Sequence, residues 1–266
     1  MSILHDALPY APWVNPHQRR LPGVMPLPRA EWLLTDPAYA AQMRERCRLL
    51  AEHGAQVLGC LPEAQEAARE LLDEVLRDLP AHGFARSGDL VRCPDGRSVA
   101  LDEARPLWTI GHLLQADFCI LQKPDSGAEH VLTGAVLCFP SHWTLAEKLG
   151  RPLMRIHRPV ASYDGQLGAR VQRMFDLMRP EQPLWRVNLL QYDDPALFQP
   201  RSEQAPKTGP ERGAFIRSER QCLLKLPRSG AVVFSIHTAV VHRDSLSPAE
   251  ATALREIERA SADPAL

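Results

Sequence analysis

Three prolines, Pro140, Pro152 and Pro159, divide residues 138–163 so closely that this stretch has room for only one short helix. Proline fixes φ, donates no backbone hydrogen bond and pushes the residue before it toward extended geometry. Thr144 and Glu147 stand at capping-box spacing, and Gly150 suits the left-handed position that closes a helix. Beyond that helix His157 lies between Pro152 and Pro159, which predicts a stiff, strand-like segment carrying an imidazole. The residues alone leave two readings open. One is a core histidine hydrogen-bonded to a carbonyl. The other is an axial ligand to a metal or haem, which needs a rigid histidine with apolar flanks.

The 266 residues are 45% hydrophobic, enough to bury one substantial core. A formal net charge of -1, with the charges spread evenly, argues against a nucleic-acid partner or an anionic membrane surface. No run approaches the roughly eighteen apolar residues of a membrane span, and residues 1–20 lack an apolar stretch behind a basic start. A cytoplasmic protein is expected. The six cysteines are dispersed without a C-x-x-C pair, which argues against a zinc ribbon and against covalent c-type haem. Cys119 and Cys138 fall in apolar runs and read as core residues. There is no H-E-x-x-H, and no G-x-G-x-x-G follows a strand, so zinc-hydrolase and dinucleotide fingerprints are both missing.

Residues 1–35 are proline-rich and aperiodic, which predicts a segment wrapping the surface of a single domain over 36–266. Within the latter, 37–53 and 62–79 carry helical periodicity; in the second, Ala67, Leu71, Leu72, Val75 and Leu76 share a face. Residues 86–101 predict a hairpin turning at Pro94-Asp95-Gly96. Helices are predicted over 107–114 and 165–178, the latter with a stripe of Leu167, Val171, Met174, Phe175 and Met178. Strands are predicted over 118–122, 130–139, 184–191, 221–226 and 231–241, which are rich in aliphatic and β-branched residues. Residues 200–213 read as a polar surface loop, and a last helix opens at Ser247-Pro248-Ala249-Glu250. The order predicts an α+β fold, with helices on one side of a mainly antiparallel sheet.

Phe139, Pro140, Ser141, Trp143, Leu145, Glu147, Lys148, Gly150, Pro152, Leu153, Ile156, His157, Pro159 and Val160 form the string F-P-S-x-W-x-L-x-E-K-x-G-x-P-L-x-x-I-H-x-P-V. This string resembles the central motif of the haem-dependent oxidative N-demethylase family. Residues 106–121 (with Gln115, Asp117 and Cys119), the R-x-N of Arg186 and Asn188, and residues 217–236 (with Arg217, Glu219, Arg220 and Gln221) resemble that family's flanking segments in the same order. The resemblance covers most of the chain from about Pro16 onward. It implies a PAS-like core with flanking helices, one non-covalent haem b and its iron, and a monooxygenase-type demethylation of a small methylamine by O2 with release of formaldehyde.

On that resemblance His157 is the expected iron ligand, with His142 its rival and His237 and His242 next. Arg186 and Arg220, at motif positions, are expected at the haem propionates ahead of Arg155, Arg158 and Arg217. A protonated amine needs an acceptor in its pocket. Asp117 and Glu219 are the candidate carboxylates, with Asn188 and Gln115 as neutral partners. The missing dinucleotide and flavin fingerprint implies a separate flavin or iron–sulfur reductase. Two positions depart from the family pattern: Leu189 stands where a tryptophan is usual, and His237 where an arginine is. Both are expected near the pocket and to bear on substrate identity. The alternative readings are a haem-binding PAS-like sensor or carrier without turnover, and an α+β domain that has kept the fold and lost the haem.

Overall fold

In the computed structural model the described residues are 2–14, 22–125, 127–160, 163–205 and 213–262. Parts of the expected N-terminal wrap (15–21) and of the expected loop at 200–213 (206–212) lie outside them. The strands in chain order are β1 (Met25–Pro26), β2 (Leu58–Cys60), β3 (Ala85–Ser87), β4 (Leu90–Arg92), β5 (Ser98–Ala100), β6 (Asp117–Gln122), β7 (Val131–Val136), β8 (Leu184–Tyr192), β9 (Phe215–Lys225) and β10 (Val232–His242). The helices are α1 (Tyr39–Glu52), α2 (Gly54–Val57), α3 (Gln65–Asp78), α4 (Pro106–Leu113), α5 (Leu145–Lys148), α6 (Leu153–Ile156), α7 (Gly165–Leu177) and α8 (Pro248–Ala262). The class is α+β, as expected. No helix among the described residues is long and apolar enough to cross a membrane.

A seven-stranded antiparallel sheet runs β1-β8-β9-β10-β6-β7-β2, and β3-β4-β5 form a separate small meander. Successive side chains on a strand point to opposite faces, so each strand serves two layers. Phe118 and Ile120 of β6, Cys222 and Leu224 of β9 and Val233 of β10 meet the buried faces of α1, α3 and α4. Their neighbours Cys119, Leu121, Leu223, Val232 and Phe234 face the other way, toward α5, α6 and α7. Helices therefore cover both faces of the sheet, a correction to the one-sided arrangement expected from element order. Both faces must be covered because both carry apolar side chains, each contributing about 1.5–3 kcal/mol when fully buried.

Local chemistry explains most boundaries. The buried stripe of α3 is Ala67, Ala68, Leu71, Leu72 and Val75. Asp164 caps α7 by accepting the Leu167 amide at 2.8 Å. Ser247 and Glu250 cap α8 reciprocally, each backbone N–H donating to the other's side chain, at 2.8 and 3.3 Å. The turn at residues 94–96 closes between Cys93 and Arg97, with Gly96 at φ 86°. Gly88 at φ 58° folds β3 onto β4, so the expected hairpin becomes three strands. Strand β9 begins at Phe215, six residues before the expected start. Its first half is a polar run, legible as strand only once its partners on both sides are known.

Residues 138–163 also differ from expectation. They form two one-turn helices, α5 and α6, because Pro152 takes the N-cap position at ψ 158° and starts the second helix instead of extending the chain. His157 is the C-terminal cap of α6 at φ −93°, ψ 5°, not part of a strand-like segment. Gly150 closes α5 at φ 74°. Thr144 donates to Glu147 rather than accepting a backbone amide (2.8 Å), and Glu147 reaches the Ser202 hydroxyl and the Glu203 amide instead.

Candidate functional site

Between the sheet and α5–α7 lies a cavity of about 820 Å³, within the roughly 300–1,000 Å³ typical of cofactor and ligand sites. Its walls are largely apolar: Cys119 and Leu121 from β6, Leu223 from β9, Phe234 and Ile236 from β10, and Leu153, Ile156, Met174 and Phe175 from the helices. Strand register sets the polar part. Arg186 pairs with Gln221, and Asn188 pairs with Glu219. Each is an alternate residue of its strand, and all four line the cavity.

His157 also lines it. Its Nδ1 is 2.9 Å from the Leu153 carbonyl oxygen, and its ring stacks on Tyr163 at 4.1 Å and 15°. A carbonyl only accepts, so Nδ1 carries the proton and the Nε2 lone pair is left available. Burial lowers the imidazole's proton affinity, although the Leu153 carbonyl opposes the shift; the ring is held neutral. The histidine is thus bonded to a carbonyl at one ring nitrogen and carries its lone pair on the other.

His142 reaches the same cavity from a left-handed backbone at φ 59°, the one described non-glycine residue with positive φ. Such a conformation costs on the order of 1–3 kcal/mol and persists only where its surroundings impose it. Its amide donates to the Gln199 carbonyl at 3.0 Å and its ring lies 4.8 Å from Tyr192. Burial, with Arg201 and Arg217 nearby, lowers its proton affinity too. Unlike His157, its ring has no hydrogen-bonded partner among the described residues to fix a tautomer.

Among the strand residues, Glu219 Oε1 accepts from buried Arg217 at 2.9 Å, while Oε2 makes only long contacts to Asn188 and Gln221, at 3.3 and 3.4 Å. Arg186 donates one N–H to Gln221 at 2.8 Å, and its buried Nε finds no acceptor. Burial lowers its proton affinity, partly offset by Glu219.

Several expected site residues lie elsewhere. Asp117, expected to face an amine, is fully buried against Arg46 (2.5 Å) and accepts the amides of Cys138 and Phe139 at 2.7 and 2.9 Å. It fastens the entry to α5 and does not line the cavity. Arg220 and His237 sit opposite one another on β9 and β10 and point to the far face. There Arg220 bonds the Glu31 carbonyl (2.6 Å) and His237 bonds Asp36 (2.8 Å), which also binds His5 (2.7 Å). The reason is parity: Arg220 adjoins Glu219 and Gln221 on one strand, so it cannot share their face. Arg217 is buried and donates to the carbonyls of Leu197 and Phe139, and Arg155 pairs with Glu203 at 2.9 Å. Gln115 bonds Asp36 and Gln42. Leu189 packs beside Trp13, Ile216 and Val241. Both departures from the family pattern therefore lie on the face away from the cavity, which corrects the expectation that they bear on the pocket.

The residues overlooked in sequence are Lys148, Tyr163 and the Ser141–Tyr192 hydroxyl pair (2.6 Å). Lys148 was visible only as a motif position, and nothing in its surroundings along the chain says that it is buried.

The site is thus a largely apolar cavity with one neutral imidazole and a polar rim of Arg186, Asn188, Glu219 and Gln221. The chain belongs to the family described as haem-dependent oxidative N-demethylase, alpha subunit-like, whose model matches residues 23–262.

Proposed function

We propose that this protein holds one b-type haem non-covalently in the cavity, where His157 Nε2 would bind its iron, and oxidatively demethylates a small methylamine with release of formaldehyde. The observation that carries the reading is His157: a neutral ring whose proton is tied to the Leu153 carbonyl and whose other nitrogen is free beside an 820 Å³ apolar cavity. No group of three or more metal-ligating side chains stands together among the described residues. The bound haem would supply the oxygen chemistry, with O2 as co-substrate and electrons from a separate flavin or iron–sulfur reductase.

The chain's own contributions follow from the geometry. The carbonyl of Leu153 and the stacked Tyr163 orient the imidazole, and burial keeps it neutral. Apolar side chains on both walls keep water from the faces of the ring system. Arg186 offers a guanidinium to a propionate. Glu219 Oε2, flanked by Asn188, accepts an N–H of the protonated amine, because Oε1 is already committed to Arg217.

Haem-reconstituted protein is expected to show a Soret band that shifts on reduction and with carbon monoxide, and to release formaldehyde from secondary or tertiary methylamines when given electrons and O2. A featureless visible spectrum rejects the haem. A haem-loaded, reducible protein that yields no formaldehyde across a broad amine panel is instead a haem-binding sensor or carrier.

A further inference from the structure

Two cations that line the cavity, Lys148 and Arg186, have no carboxylate in contact among the described residues. Of the carboxylates that line it, Glu203 pairs with Arg155 and Glu219 with Arg217. Of the cations that line it, Arg201 already has a partner. Neither Lys148 nor Arg186 makes an ion pair with a carboxylate among the described residues; Glu203 and Glu147 act on Lys148, and Glu219 on Arg186, only from beyond contact distance. Lys148 Nζ donates to the Ile156 carbonyl at 2.9 Å and lies 5.1 Å from the centre of the Trp143 ring. Arg186 donates to the Gln221 side chain, and its buried Nε has no partner. The Lys148 side chain is only 9% exposed. An ammonium buried that far is ordinarily paired, since isolated burial of a charge is costly.

We infer that Lys148 and Arg186 are the counter-ions of a ligand bearing two carboxylates. The number matches: two cations without a contacting carboxylate for two anions. On the proposed reading, on which this inference rests, the anions are the two haem propionates. The hydrogen bond from Lys148, the last residue of α5, to the Ile156 carbonyl ties α5 to the end of α6, one residue before His157. Lys148 would then hold one propionate from the helical wall, beside His157, and Arg186 the other from the sheet. Neither residue needs to move a proton for this role.

The test compares two porphyrins on the apo-protein: haem, with free propionates, and haem dimethyl ester, which carries the same ring and iron without the charges. Wild type is expected to bind haem more tightly than the diester. Lys148→Met and Arg186→Met are each expected to lose roughly ten- to hundredfold in haem affinity, the size of one charge-assisted hydrogen bond, and to bind the diester as wild type does. Lys148→Arg should restore most of the preference. A second readout separates this role from a structural one. Removing an unmatched buried charge relieves its desolvation, so apo Lys148→Met should melt no lower than apo wild type. A structural lysine would instead lower the melting temperature of the apo-protein and weaken both porphyrins equally. Retention of wild-type selectivity in both methionine variants, or that structural pattern, overturns this inference while leaving the haem reading intact. Absence of a Soret band with either porphyrin in wild type overturns both.

Discussion

At the scale of single residues, the contrast between His157 and His142 makes the sharpest prediction. His157 has a fixed tautomer, a stacked ring and a neutral state enforced by burial, whereas His142 lines the same cavity with its ring unanchored. His157→Ala is expected to lose haem, and added imidazole to restore the Soret band; His142→Ala should keep a near-normal spectrum. The reverse pattern would move the ligand to His142. Glu219 holds buried Arg217 and, on the proposed reading, would also meet the amine. Glu219→Gln should raise KM for the amine without releasing haem, by an amount on the order of 2–5 kcal/mol if the carboxylate meets a desolvated cation. Because the same carboxylate balances buried Arg217, its loss should also lower Tm. A change in Tm with an unchanged KM would leave Glu219 a structural partner only.

At the scale of elements, Asp117 is a fastener between β6 and the segment entering α5. Asp117→Asn leaves Arg46 as an unmatched buried cation and weakens the acceptor for two amides, so a loss of about 3–5 kcal/mol is expected in urea denaturation of the apo-protein. A stable variant with altered amine dependence would contradict this and return Asp117 to the substrate. The same element shows what was legible beforehand. Helices and strands with strong periodicity, such as α3, α7, β8 and β10, fall within a few residues of their sequence readings. Cap and turn chemistry located α8 and the turn at Gly96. Register was not legible, since the pairing of Arg186 with Gln221 depends on partners far along the chain. One signal was available and unused: Glu219 and Arg220 are adjacent on a strand and so cannot both face the cavity. Short helices such as α6 carry too few residues for any period, and their prolines read equally well as breaks.

At the scale of the whole molecule, His82, His112, His130, His142 and His157 all have proton affinities lowered first by burial. Above about pH 6.5 these side chains are neutral in both folded and unfolded chains, and stability does not depend on them. As pH falls through that value the unfolded chain takes up protons that the folded chain refuses, so stability declines. Urea midpoints of the apo-protein should therefore drop between about pH 7.5 and 5.5, and His130→Gln, which can keep the hydrogen bond to Gln172, should drop less steeply. A flat profile over that window would rule the histidines out. The two-faced sheet has one more consequence, for how such a chain can change over generations. Neighbouring strand positions answer to different demands: Asn188 and Gln221 line the cavity, while Leu189 and Arg220 meet the packing behind it. A change at Asn188 or Gln221 alters the cavity lining and one at Leu189 or His237 alters the packing behind the sheet, so relatives that differ at Leu189 and His237 are free to share a pocket.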